Sequence, residues 1–299
     1  MVSPPLKGSD LLAWRRRLLA DGGHAADLDW LLDLAAGLRW QDLQRLQLDP
    51  DGVELTLDCS LDALEQQWLL HRQRQIPLQH LVGRCPWRDL ELWVSPDALI
   101  PRQETELLVD LAVARGLTSP SLQWGRGRIW ADLGTGSGAL AVALARQLSG
   151  WQGHAVDCSA AALALARRNL EAWADGMAWQ LHQGSWWQPL RPWWGQLDLV
   201  VSNPPYIPAG VVDQLDPVVR DHEPRLALDG GSDGLDCCRL LLDGAAEALA
   251  PGGWLLLEHH HDQSEAVLAL MTNAGLRDVQ AAQDLEGIRR FALARRAAG

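Results

Sequence analysis

The chain has 299 residues, 47% hydrophobic and 21% charged, a balance that fits two soluble domains of ordinary size and excludes a disordered or fibrous protein. Its 26 Lys and Arg against 38 Asp and Glu give a net charge of −12, which argues against direct nucleic-acid binding, because phosphate contacts dominate that affinity. No run approaches the ~18 apolar residues of a membrane span, no signal pattern opens the chain, and the five cysteines lack CxxC spacing, so a reduced, cytoplasmic, membrane-free setting is expected.

In chain order, residues 10–72 read as helical. Leu28, Leu31, Leu32 and Ala35 fall at i, i+3, i+4 and i+7, and Leu61, Leu64 and Trp68 repeat the pattern behind Ser60, an expected N-cap. Ile76-Pro77 ends this stretch. Short alternating segments follow, with 90–94 the clearest strand, one arm of an expected hairpin. The spacing predicts a domain over 1–76, a hairpin linker over 77–104 and a third segment over 105–299 that opens with a helix at 105–115.

From Arg128 onward strand and helix alternate. Strands are expected at 129–133, 153–157, 177–182, 197–202, 254–258, 276–281 and 288–294. Helices are expected at 139–148, 160–173, 236–249 and 263–274. Such alternation implies an α/β fold, a mostly parallel sheet with helices on both faces.

Two motifs carry chemistry. The first is Asp132-Leu133-Gly134-Thr135-Gly136-Ser137-Gly138, between a strand and a helix. Glycines there let the backbone turn tightly and approach a ligand. Asp157 follows 19 residues after Gly138, at the end of the next strand, where its carboxylate can accept from both hydroxyls of a ribose. A dinucleotide satisfies the looser glycine fingerprint as well. Asp132 and the second motif favour S-adenosylmethionine, whose ammonium and sulfonium suit acidic surroundings that a pyrophosphate would not.

The second motif is Asn203-Pro204-Pro205-Tyr206, directly after the apolar run 197–202. Proline cannot donate to a sheet ladder and holds the residue before it extended. Asn203 therefore sits at a strand's carboxyl end, where open α/β sheets bind ligands. Its side-chain oxygen and the Pro204 carbonyl can accept from a planar NH2 group, and Tyr206, the only tyrosine of the chain, adds an aromatic face. A proline turn capped by Asn203 is the plain alternative. The tract His259-His260-His261 raises a metal site, but strand neighbours point to opposite faces and no Cys or carboxylate spacing completes one.

With these motifs joined to Ile100-Pro101-Arg102-Gln103-Glu104-Thr105-Glu106 and His222-Glu223-Pro224, the chain resembles the HemK-type family of glutamine methyltransferases that modify peptide-chain release factors. The resemblance implies a Rossmann-like, seven-stranded S-adenosylmethionine-dependent methyltransferase domain whose last strand is antiparallel. It implies a small N-terminal helical domain that docks the release factor, and the glutamine of a Gly-Gly-Gln loop as methyl acceptor. Gly134, Thr135, Gly136, Ser137 and Gly138 would line the methionine end of the cofactor, Asp157 would hold the ribose and Trp186 would flank the adenine. Asn203 and Pro204 would grip the substrate amide, with Pro205 rigidifying the clamp and Tyr206 packed over the guest. The chain departs from the family pattern at Ser185, where an acid is usual, at Gln103, where proline is usual, and at His260, where glycine is common. An adenine-amino methyltransferase would use the same clamp on a flipped base, and a non-catalytic cofactor-binding scaffold is a third reading.

Overall fold

A computed structural model describes residues 5–118 and 127–298. Residues 1–4 of the expected first domain, and 119–126 and 299 of the expected last one, lie outside the described residues. The chain divides into two compact units, residues 1–84 with 217–222, and residues 85–216 with 223–299.

The first unit holds a two-stranded ribbon, β1 (Leu6–Lys7) with β2 (Glu54–Leu55), and the helices α1 (Gly8–Ala20), α2 (Ala25–Ala36), α3 (Trp40–Leu48), α4 (Leu61–Arg74) and α5 (Leu78–Val82). A late turn, α10 (Pro217–Arg220), clusters with it. Leu11, Trp14 and Leu18 of α1 bury one face, and Leu28, Leu31, Leu32 and Ala36 of α2 another. Ala36, rather than Ala35, completes the α2 stripe. Ser60 caps α4 as expected, its hydroxyl oxygen accepting from the Ala63 amide at 3.2 Å.

In the second unit a hairpin pairs β3 (Arg84–Trp87) with β4 (Leu90–Trp93), and α6 (Glu106–Thr118) follows. Next come β5 (Ile129–Leu133), α7 (Ala139–Gln147), β6 (Gln152–Asp157), α8 (Ala160–Trp173), β7 (Trp179–Gln183), β8 (Leu197–Ser202) and the turn α9 (Ala209–Val212). The unit closes with α11 (Asp236–Leu242), α12 (Ala245–Ala248), β9 (Leu249–Glu258), α13 (Ser264–Asn273), β10 (Arg277–Gln283) and β11 (Arg289–Arg295). The single helix expected over 236–249 is two, broken where Asp243 turns extended and Gly244 takes φ 97°. Beyond the break the chain is already strand, because β9 begins at Leu249 and pairs with Leu197 there.

The seven-stranded sheet has the order β10-β11-β9-β8-β5-β6-β7. Strands β5 to β9 pair in parallel, while β11 runs antiparallel to both β9 and β10. Every residue of β5 and β8 is buried, as expected of the largely apolar strands of a sheet covered on both faces, with Asp132 and Asp198 the charged exceptions. The numerical order reverses between β5 and β6 on one side and β8 on the other. That is the switch point, and ligands of open α/β sheets bind outside the carboxyl ends of such strands.

Candidate active site

The carboxyl end of β5 opens directly into the glycine turn. Gly134, Gly136 and Gly138 all take positive φ, at 76°, 55° and 83°. The amides of Gly134 and Thr135 both donate to the Val156 carbonyl at 2.9 Å, which ties the turn to β6. Asp157, the last residue of β6, accepts from the Gly136 amide through Oδ2 and from the Ser159 amide through Oδ1, each at 2.9 Å. Its carboxylate is thereby fixed, and each oxygen keeps a lone pair for a further donor. Gly138 does different work. It starts α7, and a Cβ there would stand 3.0 Å from the Cα and Cβ of Ala166 on α8, so its smallness serves helix packing.

Beneath the turn lies Asp132, fully buried. The Thr135 hydroxyl donates to its Oδ2 at 2.6 Å, whereas Oδ1 has no hydrogen-bond partner among the described residues. Burial pushes this carboxyl up to about 7, against the pull of the Thr135 hydroxyl.

A cavity of about 420 Å³ sits at this end of the sheet, within the ~300–1,000 Å³ usual for small-molecule sites. Gly134, Thr135, Gly136, Ser137, Asp157, Trp186, Asn203 and Pro205 line it; Gly138, Pro204 and Tyr206 do not. Trp186 takes φ 43°, a conformation uncommon for a bulky residue and costly unless its surroundings enforce it. Its ring lies so close to the turn that a Cβ on Gly134 would stand 3.2 Å from it. Ser185 is in the wall, and three carboxylates, Asp97, Asp157 and Asp229, share it with one cation, Arg102. That cation is spoken for by the buried Glu223, at 2.5 Å. Glu223 also accepts from the Ile100 amide at 3.1 Å, which joins the Ile100–Arg102 stretch to the loop carrying Glu223-Pro224. The wall is thus acidic in balance. It suits a cationic nucleoside with a ribose better than a pyrophosphate, which would face the carboxylates of Asp97 and Asp157; Asp229 is already paired with Arg225 at 3.2 Å.

Asn203 stands at the end of β8. Its NH2 donates to the Thr105 hydroxyl oxygen at 3.1 Å. Thr105 donates to Glu258 Oε2 at 2.7 Å, and the Tyr206 hydroxyl donates to Glu258 Oε1 at 3.4 Å. Glu258, the last residue of β9, is 2% exposed. The Tyr206 hydroxyl thus reaches Glu258, and its carbonyl accepts from the Gln263 side chain at 2.9 Å. Gln103 is exposed, and His260 binds Asp262 at 2.6 Å. Among the described residues no group of three His, Cys, Asp or Glu is placed to hold a metal ion, and no helix is long and apolar enough to cross a membrane.

A family model described as "Methyltransferase small domain" matches residues 114–220. A release factor glutamine methyltransferase from Prochlorococcus marinus is 55% identical over 287 residues, spanning 96% of each chain. The chain belongs to the release factor glutamine methyltransferase family. A second member, from Synechocystis, is 40% identical over 299 residues and 97% of each chain. The fold of these methyltransferases is shared more widely. The solved catalytic domain of hMettl16 matches with a TM-score of 0.52 at 14% identity, over 78% of this chain and 80% of that one, a likeness of fold alone.

Sequence reasoning missed Thr105 and Glu258 as neighbours of Asn203. They lie 98 and 55 positions from it, and each belongs to a segment with an ordinary local reading, a helix start and a strand end. Asn169 escaped as well. Buried on α8, it accepts from the Trp93 amide and donates to the Trp93 and Ser137 carbonyls, all between 2.8 and 2.9 Å.

Proposed function

We propose that this protein methylates the side-chain amide nitrogen of the glutamine in the Gly-Gly-Gln loop of peptide-chain release factors, using S-adenosylmethionine and working in the cytoplasm. Near-full-length identity of 55% to a protein of that name carries the reading. The acidic cavity beside Asn203 supports it. When bound, S-adenosylmethionine supplies an electrophilic methyl group. Asp157 would hold its ribose hydroxyls, Trp186 would flank its adenine, and Gly134 to Ser137 would line its methionine end, with Asp132 adding negative potential beneath the turn.

An amide nitrogen is a poor nucleophile because its lone pair is delocalised. The side-chain oxygen of Asn203 and the Pro204 carbonyl can each accept one N–H of the guest NH2, which fixes its plane and aims the nitrogen. Among the described residues none donates to the Pro204 carbonyl, so it is available for this. Positioning of that kind can supply ~7–11 kcal/mol of a barrier. The two acceptors also stabilise the positive charge that grows on nitrogen by accepting its N–H hydrogen bonds, and the surplus proton leaves to solvent after transfer. Asn203→Ala should lose most of kcat while binding cofactor normally. The decisive assay offers labelled S-adenosylmethionine with a release factor, with the same factor carrying Ala for its loop glutamine, and with DNA. Label is expected on the intact factor only; label on DNA alone would overturn the reading.

A further inference from the structure

We infer that Glu258 and Thr105 form a relay that fixes the side-chain amide of Asn203 with its oxygen turned toward the methyl acceptor, making both positioning residues. The inference rests on the reading of Asn203 given above, and it comes from counting protons. Ionised Glu258 can only accept. At 2.7 Å from Glu258 Oε2, the single hydroxyl proton of Thr105 is committed to that carboxylate. Thr105 Oγ1 can then only accept from Asn203 at 3.1 Å. Only the NH2 half of the Asn203 amide can donate, so NH2 faces Thr105 and Oδ1 faces away. The orientation of an asparagine amide, which heavy-atom positions alone leave ambiguous, is set here by a charge two hydrogen bonds away.

The relay has a built-in reversal. If Glu258 carries a proton, it can donate to Thr105, whose own proton is then free to turn to Asn203. The amide gains by presenting oxygen to Thr105, and its NH2 swings toward an incoming NH2 that it cannot accept from. The groups facing Glu258 come from every side of it. Tyr206, after β8, donates to it, Arg290 on β11 draws it toward the charged form, and Glu104, next to Thr105, opposes that form. Arg290 is itself held by Asp284 at 2.5 Å, and Arg102 acts on Tyr206. Burial outweighs the favourable partners and raises Glu258 to about 7. The charged form that orients Asn203 is present above that pH and is lost as pH falls through it.

The test uses the 15N-labelled full chain and the variants T105V, T105S, E258Q and N203A, the last serving to identify the Asn203 side-chain NH2 resonances. In the wild type those resonances should titrate near pH 7; in E258Q they should not, and in T105V they should be displaced. In kinetics with the release factor, T105V should lose on the order of 10²-fold in kcat at unchanged cofactor Kd, and T105S should restore kcat toward wild type. The fall in kcat as pH drops through about 7 should vanish in E258Q. An Asn203 NH2 that does not titrate, one that titrates equally in E258Q, or a T105V enzyme with wild-type kcat would each overturn the relay. If the wild type leaves the release factor unmethylated, the functional reading falls, and the resonance measurements still decide the relay.

Discussion

A few backbone positions decide whether the cofactor turn can form, and two neighbouring glycines there meet different demands. Gly136 takes φ 55° with nothing nearer than 3.9 Å to an added Cβ, whereas Gly138 combines φ 83° with Ala166 at 3.0 Å. Gly138→Ala should therefore cost ~1–3 kcal/mol through strain and overpacking, read as a lower urea midpoint at unchanged m-value. Gly150→Ala makes the comparison. It meets φ 84° with open space around it and should cost less. Asp157 acts by charge instead of shape. Asp157→Ala removes the acceptor of the Gly136 and Ser159 amides and, on the proposed function, that of the cofactor ribose. Cofactor binding by calorimetry should weaken by ~1–3 kcal/mol, about 5- to 150-fold. The place of Asp157 beside the turn was legible in the sequence because it depends on a local spacing. Gly138 was legible as a turn glycine, but its true neighbour belongs to another helix.

Among the elements, the hairpin of β3 and β4 shows how one buried polar side chain can take the place of a ladder. Asn169 satisfies both backbone groups of Trp93 and the carbonyl of Ser137 at once, so α8 holds the hairpin and the glycine turn in one frame. Trp173, one turn further on, adds a bond from its indole N–H to the Glu91 carbonyl at 3.0 Å. Asn169→Ala would remove the side-chain partner of the two part-buried backbone groups of Trp93 and of the buried Ser137 carbonyl. It should destabilise the protein by at least ~2–4 kcal/mol, seen as a drop in Tm, and should weaken cofactor binding, since Ser137 lines the cavity. Helix starts were read well where the cap is local, as at Ser60. The helix over 236–249 was read too long, because Leu249 joins β9 through its pairing with Leu197, which no local pattern reveals.

Over the whole molecule, buried titratable groups fall into two sets with opposite effects. Burial raises the carboxyls of Asp132, Glu223 and Glu258. It lowers the imidazoles of His154, to about 4, and of His182 and His259. A raised acid stabilises the fold fully below its unfolded value near 4, and that contribution is lost as pH rises through its folded value. A lowered histidine contributes stability above its unfolded value near 6.5, lost as pH falls through its folded one. Between about pH 4 and 6.5 the two sets oppose each other, so neither shows alone in the wild-type Tm there. A variant exposes one arm. Asp132→Asn keeps an acceptor for the Thr135 hydroxyl and removes the buried charge, so its Tm relative to wild type should rise from pH 5 to pH 8. A constant difference across that range would show that Asp132 does not titrate there.

What the sequence determined by itself is whatever depends on neighbours along the chain. The apolar runs of β5 and β8, the glycine turn between β5 and α7, Asp157 at its fixed distance, and two prolines stopping a strand at Asn203 all follow from local spacing. Together they were enough to read the α/β sheet and a methyl-transfer site, while the family came from a resemblance that also needed the segments Ile100 to Glu106 and His222 to Pro224. The tertiary structure decided what crosses between strand ends and helix starts. Packing Thr105 and the end of β9 against the end of β8 puts a buried carboxyl behind Asn203 and gives the Tyr206 hydroxyl a partner in it. Burial is a property of the packed whole, and so is every shift in proton affinity that follows from it. The sequence supplied Asn203 and its two prolines, and the fold supplied the buried Glu258–Thr105 hydrogen-bond chain behind it.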